Sequence, residues 1–469
     1  TGVGKTISTL FPAVKAMGLS HTEKIFYLTA KTVGRTVAEK AVDDMRVKGA
    51  RLKSLTLTAR DKICFKPNGG TTCDSEQCEF AIGYYDRING ALEDIFTQDA
   101  FTRPVIEQYA QKHKVCPFEF SLDLSLWSDI ITCDYNYVFD PRAYLKRFFL
   151  DRKGQYTFLI DEAHNLVDRA REMFSAVLYK SRIAGLKRLV GKSQPDLNKK
   201  LDALNKYFTK LGKKVEKEGD GESWINPQLS TDLMALVHNF LREAEKILPQ
   251  GGALLYFDEL REFYLQALGF ERISELFDEH YTTYAEKKGK EVYFRLYCLD
   301  PSKNIHAALE RGSAAVFFSA TLSPLEYFRD LLGGEEGDSL VRLDSPFPAE
   351  HLLLLLADHI ETTYKKRGDT YGDVAESIAA LVSQRQGNYL AFFPSYKYMQ
   401  EVATLFADAH ADIETLVQET GMFEREREAF LAVFDEERSN TTVGFAVMGG
   451  IFGEGIDLVG ERLVGAVVV

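Results

Sequence analysis

The stretch Tyr156-Thr157-Phe158-Leu159-Ile160-Asp161-Glu162-Ala163-His164 joins a run of apolar residues to an acidic box. The run predicts a buried parallel strand, and α/β sheets bind ligands at the carboxyl ends of such strands. We therefore expect Asp161 to coordinate Mg²⁺ and Glu162 to act as the general base that polarises an attacking water. Taken alone, the same two carboxylates would also fit the start of a helix.

The chain begins with a second motif of the same kind, Thr1-Gly2-Val3-Gly4-Lys5-Thr6, which opens a segment predicted to be helical. A loop of this composition presents backbone N–H groups, here from Gly2 and Gly4, to phosphate oxygens at a helix N-terminus. Lys5 is expected to meet the β- and γ-phosphates of ATP, and Thr6 to ligate Mg²⁺. Beside this loop, the catalytic interpretation of the acidic box is strongly favoured.

Composition limits the possible functions of the 469 residues, 45% of which are apolar. Lys and Arg total 57 against 69 Asp and Glu, a net charge of −12. Contact with nucleic acid would therefore need a local basic groove rather than a cationic molecule. No apolar run approaches the roughly 20 residues that span a bilayer, and no signal peptide is visible. We expect a cytoplasmic protein, associated with the bacterial nucleoid, with no membrane partner.

Alternating strand and helix patterns on both sides of a long helical region indicate two parallel, doubly wound sheets. Strands are predicted near residues 25–30, 130–133, 156–160, 314–318, 388–393 and 442–447. Between residues 167 and 304 the pattern changes to long amphipathic helices. One helix has a packing seam of apolar residues spaced by three and four: Leu197, Leu201, Leu204, Phe208, Leu211 and Val215. Its lysines form either a nucleic-acid contact or, preferably, a solvated face.

Four cysteines lie in one segment between the phosphate loop and the acidic box: Cys64, Cys73, Cys78 and Cys116. Four thiolates in one segment of a large chain favour a metal centre over disulfides. Zinc and an iron–sulfur cluster are both compatible with such ligands, and the spacings alone decide little between them. Cys133 and Cys298, in apolar strand-like contexts, are expected to be inert buried thiols.

Together these landmarks resemble the iron–sulfur DNA helicases of superfamily 2, the XPD/DinG-like group. The resemblance depends on the order of six motifs: the phosphate loop, the four cysteines, the box at 161–164, Ser-Ala-Thr-Leu-Ser-Pro at 319–324, Phe-Phe-Pro-Ser-Tyr at 392–396, and Gly-Glu-Gly-Ile-Asp at 453–457. It implies that the cysteines hold a [4Fe–4S] cluster in a domain that parts the duplex.

The resemblance also implies a fold of two RecA-like motor domains with two insertions. The first motor would comprise residues 1–56, 121–170 and 305–325. An iron–sulfur domain at 57–120 and a helical arch at 171–304 would interrupt it, and residues 326–469 would form an incomplete second motor. The family's last motif, which carries an arginine, is expected after Val469. Without it, the chain is expected to bind ATP better than it hydrolyses it.

Further site residues follow from the resemblance. It implies that Ser319 and Thr321 couple the nucleotide state to DNA, and that Gly455 and Asp457 face the nucleotide. It places Thr29, Lys31 and Tyr396 along the DNA single strand. His164 is expected to couple the acidic box to the second motor, although simple packing at a helix start would also explain it.

The implied function is an ATP-dependent DNA helicase that moves 5′→3′ on single-stranded DNA and opens duplex junctions, in DNA repair or replication. Its cofactors would be ATP, Mg²⁺ and the cluster. Two alternatives stay open: an ATP-binding nucleic-acid clamp without unwinding activity, and an RNA-remodelling ATPase, since an Asp-Glu-Ala-His box also occurs there. The cysteine segment argues against the RNA motor.

Overall fold

A computed structural model describes residues 4–30, 32–66, 78–150, 153–253, 255–345, 347–351, 356–422, 424–434, 440–450, 452–453, 456, 458 and 460–469. The chain divides into two compact units, Thr1–Arg342 and Leu343–Val469, which are considered separately below. No helix in this described part is both long enough and apolar enough to cross a membrane.

The described residues form fourteen strands and eighteen α-helices. The strands are β1 (Lys24–Leu28), β2 (Ser54–Thr56), β3 (Ala100–Phe101), β4 (Ile130–Cys133), β5 (Tyr156–Asp161), β6 (Ala176–Tyr179), β7 (Ser223–Asn226), β8 (Tyr281–Lys288), β9 (Glu291–Cys298), β10 (Ala314–Phe318), β11 (Asn388–Phe393), β12 (Glu414–Val417), β13 (Thr442–Val447) and β14 (Gly465–Val468). The helices are α1 (Lys5–Gly18), α2 (Thr32–Val47), α3 (Arg60–Ile63), α4 (Tyr84–Ile95), α5 (Arg103–His113), α6 (Pro117–Leu124), α7 (Asn136–Phe139), α8 (Lys146–Phe149), α9 (His164–Met173), α10 (Lys180–Val190), α11 (Pro195–Glu218), α12 (Thr231–Ile247), α13 (Phe257–Glu275), α14 (Ser302–Leu309), α15 (Leu325–Leu331), α16 (Tyr371–Val382), α17 (Tyr396–Ala409) and α18 (Glu424–Ala432).

The first unit is built on a six-stranded sheet in the order β10-β5-β1-β4-β2-β3, and every neighbouring pair is parallel. Strands β1 and β4 are buried almost throughout, as expected for a parallel sheet covered on both faces. The acidic box follows β5, and β10 pairs with β5 up to Phe318 opposite Asp161. The sheet therefore brings residues 161–164 and 319–321 to the same edge.

The prediction of a helical insertion at 171–304 was incomplete, because the region also contains a sheet. Strands β6, β9, β8 and β7 form an antiparallel sheet in that order. Strands β8 and β9 form a hairpin closed by two residues, and Gly289 in this turn has φ +61°, a conformation that favours glycine. The alternating burial of β8 and β9 shows that one face of the hairpin packs inward.

The predicted helical seam is confirmed. It lies on the 24-residue helix α11, and all six of its apolar residues are buried. Several lysines of the opposite face are held by acids or rings within the unit. Lys206 pairs with Asp202 at 2.8 Å, and the Lys214 ammonium lies 4.1 Å from the centre of the Trp224 ring. These contacts favour the interpretation of a solvated, internally paired face.

The second unit contains a four-stranded parallel sheet in the order β12-β13-β11-β14. The two units meet in sequence between residues 342 and 343, so the predicted second motor, 326–469, begins inside the first unit. The reason is packing after α15: Leu332 is buried in the core of the first unit, and His306 Nδ1 lies 2.9 Å from the carbonyl oxygen of Gly333.

Candidate nucleotide site

The N-terminus of α1 meets the carboxyl ends of β5 and β10 in the first unit. Gly4 precedes α1 with φ +72°, a left-handed conformation that suits glycine. As at the start of any α-helix, the first N–H groups of α1 have no hydrogen-bond partner within the helix. This end of the helix, which carries Lys5 and Thr6, can therefore receive an anion.

The loop lysine and the proposed general base are in direct contact. Lys5 Nζ donates a hydrogen bond to Glu162 Oε1 at 2.5 Å, and both side chains are partly buried, at 20% and 31% exposure. The sequence predicted that Lys5 meets phosphate and Glu162 meets water. The structure brings the ammonium and carboxylate groups of these two residues together at one point of the site.

Ser319 and His164 extend this contact into a network. Ser319 Oγ donates to Glu162 Oε2 at 3.1 Å and lies 2.6 Å from His164 Nδ1. A hydroxyl has one proton to donate, so when Ser319 donates to Glu162, His164 must donate from Nδ1. The two residues predicted to couple the site to its surroundings thus reach the general base directly. Thr321 Oγ1 lies 3.4 Å from Ser319 Oγ at the exposed end of the network.

Asp161 is held on both carboxylate oxygens. The Tyr27 hydroxyl donates to its Oδ2 at 3.0 Å, and the backbone N–H of Glu162 donates to its Oδ1 at 2.9 Å. The Tyr27 oxygen also lies 3.3 Å from Thr6 Oγ1. Thr6 and Asp161, the two predicted Mg²⁺ ligands, are therefore connected through one phenol. Hydroxyl and carboxylate oxygens are suitable Mg²⁺ ligands.

Glu162 adopts an uncommon backbone conformation for a residue with a side chain, with φ +48°. The hydroxyl of Tyr135, which is fully buried, donates to the carbonyl oxygens of Asp161 and Glu162. Strained residues of this kind persist when their surroundings over-determine them, and they are concentrated at functional sites. Tyr135 is thus a core residue that holds the backbone of the acidic box in place.

The pKa values of the Asp161 and Glu162 carboxyl groups are shifted in opposite directions from their ordinary values. Burial, followed by the adjacent Glu162 carboxylate, raises the pKa of Asp161. Burial would also raise the pKa of Glu162, but the Lys5 ammonium and the Ser319 hydroxyl outweigh burial and hold its pKa below the ordinary value. Glu162 is therefore the more firmly ionised of the pair, as a general base at neutral pH must be.

Other predicted residues lie elsewhere or outside the described part of the chain. Thr29 is 2% exposed at the end of β1, so its side chain offers little surface to a nucleic-acid strand in this conformation. Tyr396 belongs to the second unit, where it begins α17. Five predicted residues lie outside the described residues: Gly2, Lys31, Cys73, Gly455 and Asp457.

In the second unit, Tyr396 lines a cavity of about 420 Å³ with Lys397, Gln400, Gln418, Glu419 and Thr420. Gln418 is 2% exposed, and its amide group donates one hydrogen bond and accepts another. It donates to the Tyr396 hydroxyl at 2.9 Å and accepts from the Val447 N–H at 2.9 Å. Sequence reasoning missed Gln418 and Tyr27. Tyr27 offered one signal, because a phenol inside a buried strand needs a hydrogen-bond partner.

The structure places three of the four cysteines on segments that pack together. Phe65, next to Cys64, contacts Phe80, two residues after Cys78, with ring centres 5.0 Å apart. Lys66 pairs with Glu79 at 3.2 Å, and Arg60 lies over Phe118, two residues after Cys116. The three described sulfurs are not grouped closely enough to define a metal site on their own. Cys133 and Cys298 are buried as predicted.

Comparison with known proteins agrees with this geometry. Residues 29–183 match the DEAD_2 family and residues 378–469 match the Helicase C-terminal domain. The chain is 25% identical over 415 residues to ATP-dependent DNA helicase CHL1 of Candida glabrata, covering 76% of this chain and 47% of that protein. It is 22% identical over 531 residues to a probable ATP-dependent helicase of Methanocaldococcus jannaschii, covering 100% of this chain and 76% of that one.

A solved structure described as XPD helicase has the same fold, with a TM-score of 0.52 at 17% identity over 100% of this chain and 80% of that one. The parallel sheets are those of RecA-like motor domains. The chain belongs to the XPD- and CHL1-like DEAD_2 helicase family of superfamily 2, as its motif order predicted. It spans about half the length of the fungal relatives that it matches.

Proposed function

We propose that this chain is the motor of an ATP-dependent DNA helicase that translocates 5′→3′ on single-stranded DNA and opens duplex junctions. One observation carries the proposal: Lys5, Thr6, Asp161, Glu162 and Ser319 form a connected site at one edge of a parallel sheet. Each supplies a group that ATP hydrolysis needs. The name of the Candida relative, an ATP-dependent DNA helicase, supports the same reaction class.

In this proposal ATP binding changes the hydrogen-bond partners of Lys5 and Glu162. The phosphates draw Lys5 away from Glu162, because a polyphosphate offers more negative charge than one carboxylate. Glu162 is then free to orient and polarise the attacking water, while Thr6 and Asp161 hold Mg²⁺ against the phosphates. Gly2, Gly455 and Asp457, which the family resemblance assigns to the nucleotide, would complete the pocket.

Ser319 and His164 would report the nucleotide state in this proposal. Ser319 donates to the same carboxylate that Lys5 releases, and His164 is hydrogen-bonded to Ser319. A change in the position of Glu162 therefore changes the bonding of Ser319, and with it the segment that carries Thr321. Lys31 and Tyr396 remain the proposed contacts along the DNA strand, and Thr29 would join them only after a change that exposes its side chain. The role in repair or replication remains part of the proposal.

We also propose that Cys64, Cys73, Cys78 and Cys116 hold a [4Fe–4S] cluster. The packing of the segments around Cys64, Cys78 and Cys116 supports it. The cluster would brace residues 57–120 as the wedge that separates strands. Iron and acid-labile sulfide analysis of anaerobically purified protein tests this, with the Cys64→Ser variant as comparison. Absence of both elements from the unaltered protein would refute the cluster.

The decisive experiment for the reaction is steady-state ATP hydrolysis by the full-length chain with and without single-stranded DNA. We expect stimulation by DNA, and its loss in Lys5→Ala and Glu162→Gln. A parallel arm with an RNA strand of equal length distinguishes the RNA-remodelling alternative, for which RNA would stimulate at least as strongly. Tight ATP binding with no strand-stimulated turnover would identify the clamp.

A further inference from the structure

The side chain of Tyr27 enters the site from the centre of the sheet. It lies on β1, between β5 and β4, and is fully buried. Its ring packs against Phe318 with centres 6.1 Å apart. Only the hydroxyl reaches the polar edge, where it lies 3.0 Å from Asp161 Oδ2 and 3.3 Å from Thr6 Oγ1.

The number of protons fixes the direction of these two hydrogen bonds. An ionised carboxylate can only accept, so the single phenolic proton of Tyr27 goes to Asp161. The Tyr27 oxygen can then only accept from Thr6, which turns the threonine proton away from the metal position.

We propose that Tyr27 is a positioning residue for the magnesium site, because it orients both protein ligands of the ion. It aims the lone pairs of Thr6 Oγ1 outward and fixes the rotation of the Asp161 carboxylate. The inference rests on the proposed ATP site and adds to it a residue that touches neither the nucleotide nor the metal. Removing a residue that is hydrogen-bonded to metal ligands typically lowers metal affinity by 10- to 100-fold.

The test is the Mg²⁺ dependence of nucleotide binding by Tyr27→Phe, followed by the anisotropy of a fluorescent ATP analogue. Phenylalanine keeps the ring and removes only the hydroxyl, so the core packing is retained. We expect the Mg²⁺ concentration at half-saturation to rise about 10-fold. Affinity for the analogue in EDTA should stay within about twofold of the unaltered chain, because Tyr27 does not contact the nucleotide.

Tyr398→Phe is the matched control. Tyr398 is also a fully buried tyrosine, but it lies in the second unit and its hydroxyl has no hydrogen-bond partner among the described residues. Its Mg²⁺ dependence should equal that of the unaltered chain. If Tyr27→Phe also shows an unchanged Mg²⁺ midpoint, the inference is overturned while the proposed ATP site stands.

Two further outcomes separate the possible failures. If Tyr27→Phe loses metal-free affinity as strongly as Mg²⁺-dependent affinity, Tyr27 only supports the fold, and the positioning role is wrong. If the unaltered chain binds the analogue without any Mg²⁺ dependence, the proposed function fails, and the inference fails with it.

Discussion

Replacing Glu162 with glutamine should make the chain bind ATP more tightly while it stops hydrolysing it. Lys5 is paired with Glu162 at 2.5 Å, so ATP has to compete with this carboxylate for the ammonium group. Removing the carboxylate charge weakens the competitor and leaves the loop, Thr6 and Asp161 in place. The variant therefore separates binding from catalysis at one residue.

The size of the effect follows from the geometry. The substitution removes the ion-pair attraction, which contributes up to about 1 kcal/mol for partly exposed side chains. Glutamine still offers Lys5 an acceptor oxygen, so about 1 kcal/mol of the restraint on Lys5 is lost. Since 1.4 kcal/mol is a factor of ten, ATP affinity should increase about fivefold.

The assay is the anisotropy of a fluorescent ATP analogue with saturating Mg²⁺, titrated with each protein. Glu172→Gln is the control, because Glu172 also forms an ion pair at 2.5 Å, with Arg295, but 65% of its side chain is exposed and no loop residue is involved. Its affinity should be unchanged. Equal or weaker ATP binding by Glu162→Gln would show that the Lys5–Glu162 pair does not oppose the nucleotide.

Three other substitutions test separate parts of the structure. Tyr135→Phe removes the bonds to the carbonyl groups of Asp161 and Glu162, so kcat for DNA-stimulated hydrolysis should fall on the order of 10-fold with KM for ATP nearly constant. An unchanged kcat would show that these bonds do not position the acidic box. Gln418→Ala leaves the buried Val447 N–H and the partly buried Tyr396 hydroxyl without their partner, and urea titration should show a loss of about 1–3 kcal/mol in the second unit; an unshifted transition would count against that role. Phe208→Ala opens a cavity in the helical seam and should cost about 3–5 kcal/mol of unfolding free energy, whereas a loss below about 1 kcal/mol would mean that the seam is not core.

The sequence predicted those parts of the fold whose pattern is local. The apolar run before Asp161 forms a buried parallel strand, because a strand covered on both faces of the sheet needs an apolar side chain at almost every position. The hairpin β8–β9 was missed although its residues alternate with period two around Gly289. The 24-residue helix α11 has the stronger periodicity in this region, and its pattern outweighed that of the two eight-residue strands.

The residues of the candidate site could be predicted from the sequence, but the hydrogen bonds between them could not. Lys5, Asp161, Glu162 and Ser319 are recognisable from motifs, and the structure brings them together. The hydrogen bond between Lys5 and Glu162 depends on the distance between two segments 157 residues apart, which no local pattern encodes. The role of Tyr27 likewise depends on which strands lie beside β1.

The most direct test of the whole account is displacement of a labelled strand from a duplex that carries a single-stranded 5′ overhang. The full-length chain should displace the strand only with ATP and Mg²⁺, should prefer the 5′ overhang to a 3′ overhang, and should lose the activity in Glu162→Gln. Displacement that persists in Glu162→Gln, or no displacement from either substrate while ATP is bound and hydrolysed, would contradict the claim that hydrolysis at this site drives strand separation.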